Sequence, residues 1–231
     1  MNRVIELGRT HGAAGTPVRL SNAYCVALAN QDPEYRAVLA GPGWNFPDGA
    51  PVAYFMRRQN RKSPSERVRG PSLFAAVLDR GRSAGLRHFM LGATQDTLDR
   101  LVESIGNRYP GAEVAGTYSP PFGPLDESFY TESIARIEES GADVVWVGLG
   151  TPKQDFAAAE LARRVPLPFL GVGAAFDFVA GVVPEAPLWV QRSGFEWLYR
   201  LVSEPRRLWR RYLIGNTQFL WSVATAPRHT S

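Results

Sequence analysis

The chain has 231 residues, 45% of them hydrophobic, a formal charge of +4 and one cysteine. That length holds one large α/β domain, or a domain plus an appendage, with ample material for a buried core. The lone Cys25 excludes an internal disulfide and fits a reducing compartment.

Read in chain order, residues 1–16 are polar and glycine-containing, an expected irregular lead-in. They lack the apolar core of a signal peptide. Val18 to Ser21 reads as a strand, and Asn22 to Ala40 as helix interrupted near Pro33. Trp44 to Phe46 is a short strand running into Pro47-Asp48-Gly49, followed by a helix over Ala50 to Arg58 and a charged loop to Pro71. Helices are expected over Leu73–Arg82, Thr97–Tyr109, Glu127–Ser140 and Lys153–Arg164. Strands are expected over His88–Leu91, Glu113–Tyr118, Val144–Gly148 and Phe169–Val172. Short apolar strands between helices imply a Rossmann-like, mostly parallel sheet with helices on both faces. Ligands of such sheets bind beyond the carboxyl ends of the strands. No run reaches the roughly 20 apolar residues of a membrane span. The nearest, Pro166 to Val183, is broken by Pro168, Asp177 and three glycines.

The remainder is helical and basic. Between Arg192 and Ile214 six arginines meet only Glu196 and Glu204, so this window carries the whole net charge. On one continuous helix, at roughly 100° per residue, Arg206, Arg207, Arg210 and Arg211 share a face opposite Leu208, Trp209 and Tyr212. Such a helix suits an anionic membrane surface. It equally suits an apolar side packed on the parent domain with its charges solvated. Nucleic acid is disfavoured, because stacking and phosphate contacts need aromatics and arginines on one surface. The expected division is 1–16 lead-in, 17–193 α/β catalytic domain, 194–223 C-terminal helical basic appendage and 224–231 disordered tail.

Several polar residues fall at the carboxyl edge of the expected sheet. Gly148-Leu149-Gly150-Thr151-Pro152-Lys153-Gln154 follows a strand and opens a helix. Its glycines let a phosphate approach the backbone, or form an ordinary strand-to-helix turn. The third glycine of the dinucleotide fingerprint is absent, as is the Walker pattern. Asp48 reads as an N-cap or as a carboxylate general base. Asn22 reads as a cap or as a partner for a sugar hydroxyl. Asp177 either bonds nearby N–H groups or accepts from a ligand. His11, His88 and His229 have neither metal-ligand nor catalytic spacing. No Asp-x-Asp metal motif occurs, so no metal and no other cofactor is expected.

Together these motifs resemble the WecG/TagA/CpsF glycosyltransferases (glycosyltransferase family 26). The resemblance runs from about Ser21 to Leu220. It is densest in Val147 to Gln154, in Gly171 to Asp177 with Ala180-Gly181, and from Ala186-Pro187 through Glu196-Trp197-Leu198-Tyr199-Arg200 to Glu204-Pro205-Arg206-Arg207. Pro47-Asp48-Gly49 and Arg67-Val68-x-Gly70 match earlier family motifs. The resemblance implies an inverting, metal-independent hexosyltransferase. Its donor would be a UDP-sugar, of N-acetylmannosamine, uronate or hexose type. Its acceptor would be a polyprenyl-diphosphate-linked saccharide at the inner face of the cell membrane, in exopolysaccharide or cell-wall polymer synthesis. It further implies Asp48 as base and Arg200, Arg207 and Arg210 as arginines closing over the lipid diphosphate. Asn22, Arg67, Gly148, Gly150, Lys153, Gln154 and Asp177 would be substrate-binding. The chain departs from the family pattern at Ser72, Asp155, Cys25 and Ala50-Pro51, all of which bear on the sugar pockets more than on the reaction. A non-catalytic membrane adaptor with a degenerate nucleotide pocket is the alternative, and a homo-oligomer is left open.

Overall fold

The computed structural model describes residues 2–10, 14–59, 66–209, 212–213 and 215–225. Six strands form one parallel sheet. They are β1 (Thr16–Ser21), β2 (Trp44–Pro47), β3 (Arg87–Gly92), β4 (Glu113–Tyr118), β5 (Val144–Gly148) and β6 (Pro168–Gly171), in the spatial order β2-β1-β6-β5-β3-β4. By its internal contacts the chain divides into two compact units. The first comprises Met1–Leu20, Gly41–Phe46 and Val68–Pro184, and the second Ser21–Ala40, Pro47–Arg67 and Glu185–Ser231.

In the first unit the apolar strands alternate between two cores, as the period of two dictates. Met90, Trp146 and Leu170 point to one face, where they meet Phe74 and Leu78 of helix Gly70–Gly81 and Leu98, Leu101 and Ile105 of helix Gln95–Arg108. Phe89, Leu91, Val145, Val147 and Phe169 point to the other, against Ile137 of helix Glu127–Ser140 and Ala157, Ala158 and Leu161 of helix Lys153–Arg164. Both faces of the sheet are therefore dry at β3, β5 and β6, which explains why those strands read as apolar runs. Trp146 is fully buried. Its ring stands edge-on to Phe74 at 4.7 Å, and its indole N–H donates to His88 Nδ1 at 3.1 Å. His88 Nε2 finds no partner among the described residues, and burial lowers the imidazole's pKa to about 4.

Two elements differ from expectation. Asn2–Arg9 is a helix, not an irregular lead-in. Its stripe of Val4, Ile5 and Gly8 packs inward, Val4 is buried, and Gly8 comes so close to Val144 that a Cβ there would lie 2.8 Å from that side chain. The glycine that looks like a helix breaker instead permits close approach. The Arg-rich segment is not one helix. Among the described residues it includes helices Glu196–Ser203, Pro205–Trp209 and Gly215–Thr225. Glu204 leaves helical geometry at φ −133°, ψ 58°, because the following proline has no N–H and disfavours the helical conformation before it. The helix breaks before the expected wheel from Arg206 to Tyr212, and within that wheel Arg210 and Arg211 lie outside the described residues.

The second unit has its own small core of Ala23, Ala27, Val52 and Phe219 with Val26, Phe55 and Met56 against it. Helix Gly215–Thr225 packs on helix Ala23–Gln31. Gly215 meets Tyr24, the Gln31 side-chain amide donates to Gln218 at 2.8 Å, and Phe55 and Phe219 stack edge-to-face at 5.6 Å. Leu208 is buried, whereas Trp189, Val202, Trp209, Leu213, Leu220 and Trp221 are exposed. The aromatic side of the basic segment is thus shared between the protein's interior and its surface.

Candidate functional site

Within the first unit, neighbouring strands β3 and β5 send their connections to opposite faces of the sheet. Strand order reverses between them, and the divergence opens a crevice at their carboxyl ends. Gly92 and Gly148 pair across its floor. Neither accepts a side chain: a Cβ on Gly92 would lie 2.8 Å from the Gly148 carbonyl carbon, and one on Gly148 would lie 2.5 Å from the Phe176 ring. Gly150, at φ +77°, faces open space. Phosphate-sized groups can therefore reach the backbone at Gly150. The helix start beyond it contributes less than its sequence suggests. The N–H of Gln154 already donates to the Gly150 carbonyl, and those of Asp155 and Phe156 to the Pro152 carbonyl.

Side chains around this crevice brace its loops. The Lys153 ammonium donates to the Gly123 carbonyl at 2.6 Å, joining the β5 arm to the loop after β4. The Ser119 hydroxyl donates to the Ala93 carbonyl at 2.8 Å, joining that loop to the β3 arm. Gln154 is only 3% exposed, and its Oε1 accepts the Gly173 N–H at 3.0 Å. Gly173 needs φ +55°, and the bond holds the loop after β6 in that conformation. Gln154 and Lys153, expected at the substrate, thus have a bracing role on view. Asp177 lies in the short helix Ala175–Val179 after β6, partly buried. Its main-chain carbonyl accepts from Val182 and Val183 at 2.9 and 3.2 Å.

Within the second unit, Asn22 caps helix Ala23–Gln31. Its Oδ1 accepts from the Tyr24 and Cys25 N–H groups at 3.0 and 3.3 Å and from the Cys25 thiol at 3.5 Å. Of the two readings of Asn22, capping is the one whose bonds are formed. Asp48 is beside it. The Asp48 N–H donates to the Ser21 carbonyl at 2.9 Å, and a Cβ on Gly49 would lie 3.9 Å from Asn22 Cβ. Asp48 is half-buried. Gly49 takes φ +91°, which a side chain would strain, and so turns the chain sharply after the carboxylate.

Arg67 is held by protein. One guanidinium nitrogen donates to Glu196 Oε2 at 2.6 Å and another to the Gln191 carbonyl at 2.9 Å. Glu196 was legible only as a member of its motif, because nothing local announces a partner 129 positions away. Arg200 stands one turn beyond it, half-buried. The Arg207 side chain and all of Arg210 lie outside what the structure describes. No helix among the described residues is long and apolar enough to cross a membrane.

Comparison with known families finds a match over residues 1–231 to the model described as the glycosyl transferase WecG/TagA/CpsF family.

Proposed function

The chain belongs to the WecG/TagA/CpsF glycosyl transferase family, and from that premise we propose that it moves a sugar from a UDP-sugar to a hydroxyl of a polyprenyl-diphosphate-linked saccharide, with inversion and without a metal. Asp48 takes the proton of the acceptor hydroxyl as that oxygen attacks the sugar C1. The bond from C1 to the UDP oxygen breaks, and UDP leaves with the bonding pair. The observation that carries this reading, beside the family match, is the placement of Asp48. It is a half-buried acidic residue at the carboxyl end of β2, with its backbone tied to Ser21 and a left-handed glycine behind it. Ligands of parallel sheets bind beyond the carboxyl ends of the strands, and a general base must be within reach of them, which supports this reading.

The leaving diphosphate gathers charge. In this reading arginines of the C-terminal helices stabilise it, as fixed cations do in a water-poor site. Asp177 takes the uridine. Peripheral attachment to the inner face of the membrane is supported by the outward-facing Trp189, Trp209, Leu213, Leu220 and Trp221 on a segment rich in arginine.

The test is a panel of UDP-sugars offered with a short-chain lipid-diphosphate saccharide and scored by UDP release. Release that needs both the acceptor and the Asp48 carboxylate supports the reading. UDP binding without release from any donor returns the protein to the class of membrane adaptors.

A further inference from the structure

Arg67 belongs to a motif that offers it to a substrate, yet its fork is closed on protein. The two acceptors lie on different helices. Gln191 is in helix Leu188–Ser193, and Glu196 is the first residue of helix Glu196–Ser203. Between them the chain turns at Gly194, which sits at φ +83°. One planar guanidinium therefore ties the two sides of a soft corner. Because its donors are rigidly spaced, it fixes where one acceptor lies relative to the other. The ion pair is sheltered, at 20% and 13% side-chain exposure, so solvent screens it less than a surface pair. Arg67 Nε is buried with no partner among the described residues, a cost that a freely moving arginine would avoid by turning outward. Arg200 follows Glu196 by four positions, on the same side of the helix, so what holds Glu196 also holds Arg200.

We infer that Arg67 is a positioning residue. It acts through Glu196 and Gln191 to set the corner at Gly194 and to hold the helix that carries Arg200, and it does not contact donor or acceptor. The effect on turnover rests on the transferase reading; the effect on the corner does not.

The experiment uses the full chain with Arg67→Gln, Glu196→Gln, the double variant and Arg67→Lys. Three quantities are read: hydrogen exchange over 188–203, affinity for UDP by calorimetry, and UDP release with donor and acceptor. Each single variant should speed exchange across the corner and slow turnover by roughly tenfold to a hundredfold, the scale of a misplaced group. UDP affinity should stay within about twofold of wild type, because the pocket for UDP is not the thing disturbed. The double variant should be no worse than either single variant, as two halves of one contact require. Lysine keeps the charge but cannot reach both acceptors, so Arg67→Lys should exchange as fast as Arg67→Gln. The inference is overturned if Arg67→Gln weakens UDP tenfold while Glu196→Gln behaves as wild type. It is also overturned if the two single losses multiply, or if lysine restores slow exchange. Thermal melts guard against simple unfolding, and Glu196→Gln, which leaves Arg67 in place, is the milder probe. If the wild type releases no UDP, the transferase reading fails, and the exchange arm still decides the corner.

Discussion

The Gly173 N–H donates to Gln154 Oε1 at 3.0 Å, so the first turn of the helix after β5 holds the loop after β6 in a left-handed conformation. Replacing Gln154 by Leu keeps the bulk and removes the acceptor. A buried N–H left unpaired costs about 1–3 kcal/mol. Urea denaturation should show that loss. Gln154→Leu at wild-type stability would mean the bond carries no weight.

Asp48→Asn keeps the shape and removes the base. Positioned proton acceptors contribute roughly a hundredfold to ten-thousandfold. Turnover should fall within that range while UDP titrates as in wild type. An unchanged rate would remove Asp48 as the base and leave it as a residue of the turn.

Asn22 can be tested against its cap. Asn22→Ala should cost about 1 kcal/mol, and Asn22→Ser should recover most of it. If turnover recovers with stability in the serine variant, the residue acts as a helix cap. If stability returns and turnover does not, the amide also serves the sugar.

His88 makes the first unit sensitive to acid. Its folded pKa is lowered to about 4, against 6.5 for the free imidazole. As pH falls below 6.5 the unfolded chain takes up the proton first, so the native state loses stability. The loss runs until about pH 4, where the folded form also protonates, and amounts to about 3 kcal/mol. Denaturation at pH 7 and pH 4.5 should differ accordingly. His88→Leu should flatten that slope even though it strands the Trp146 N–H and lowers stability at every pH.

Phe219 is the late residue on which the second unit's core depends. Phe219→Ala should cost about 3–5 kcal/mol and raise hydrogen exchange over helix Ala23–Gln31. Unchanged exchange there would show that the C-terminal helix is a passenger.

The centre of the sheet was legible because strands covered on both faces must be apolar, as Val144–Gly148 is. Edge strand Glu113–Tyr118 and helix Lys153–Arg164 also stand where the pattern puts them. Asn2–Arg9 was not legible. Its stripe is three residues wide, and one of them is glycine. The break at Glu204 was written in the sequence as the proline that follows it. At the candidate site the pattern marked loops and left the partners hidden. Gly150, Asp48 and Asn22 can be placed from turn and cap chemistry. That Lys153 reaches Gly123, that Gln154 reaches Gly173 and that Arg67 reaches Glu196 depends on tertiary packing, which a linear pattern does not carry.

The packing of Phe219 against Ala23, Ala27 and Val52 has a consequence for synthesis. Asn22 and Asp48 leave the ribosome early, yet the core beside them lacks its largest member until some 170 further residues have followed. At 5–20 residues per second, that is on the order of ten seconds of elongation. Through that interval the nascent chain holds the proposed base before the second unit's core is complete. Its exposed Val52 and Phe55 are then a target for chaperones, and slowing translation upstream of codon 219 should lengthen that exposure.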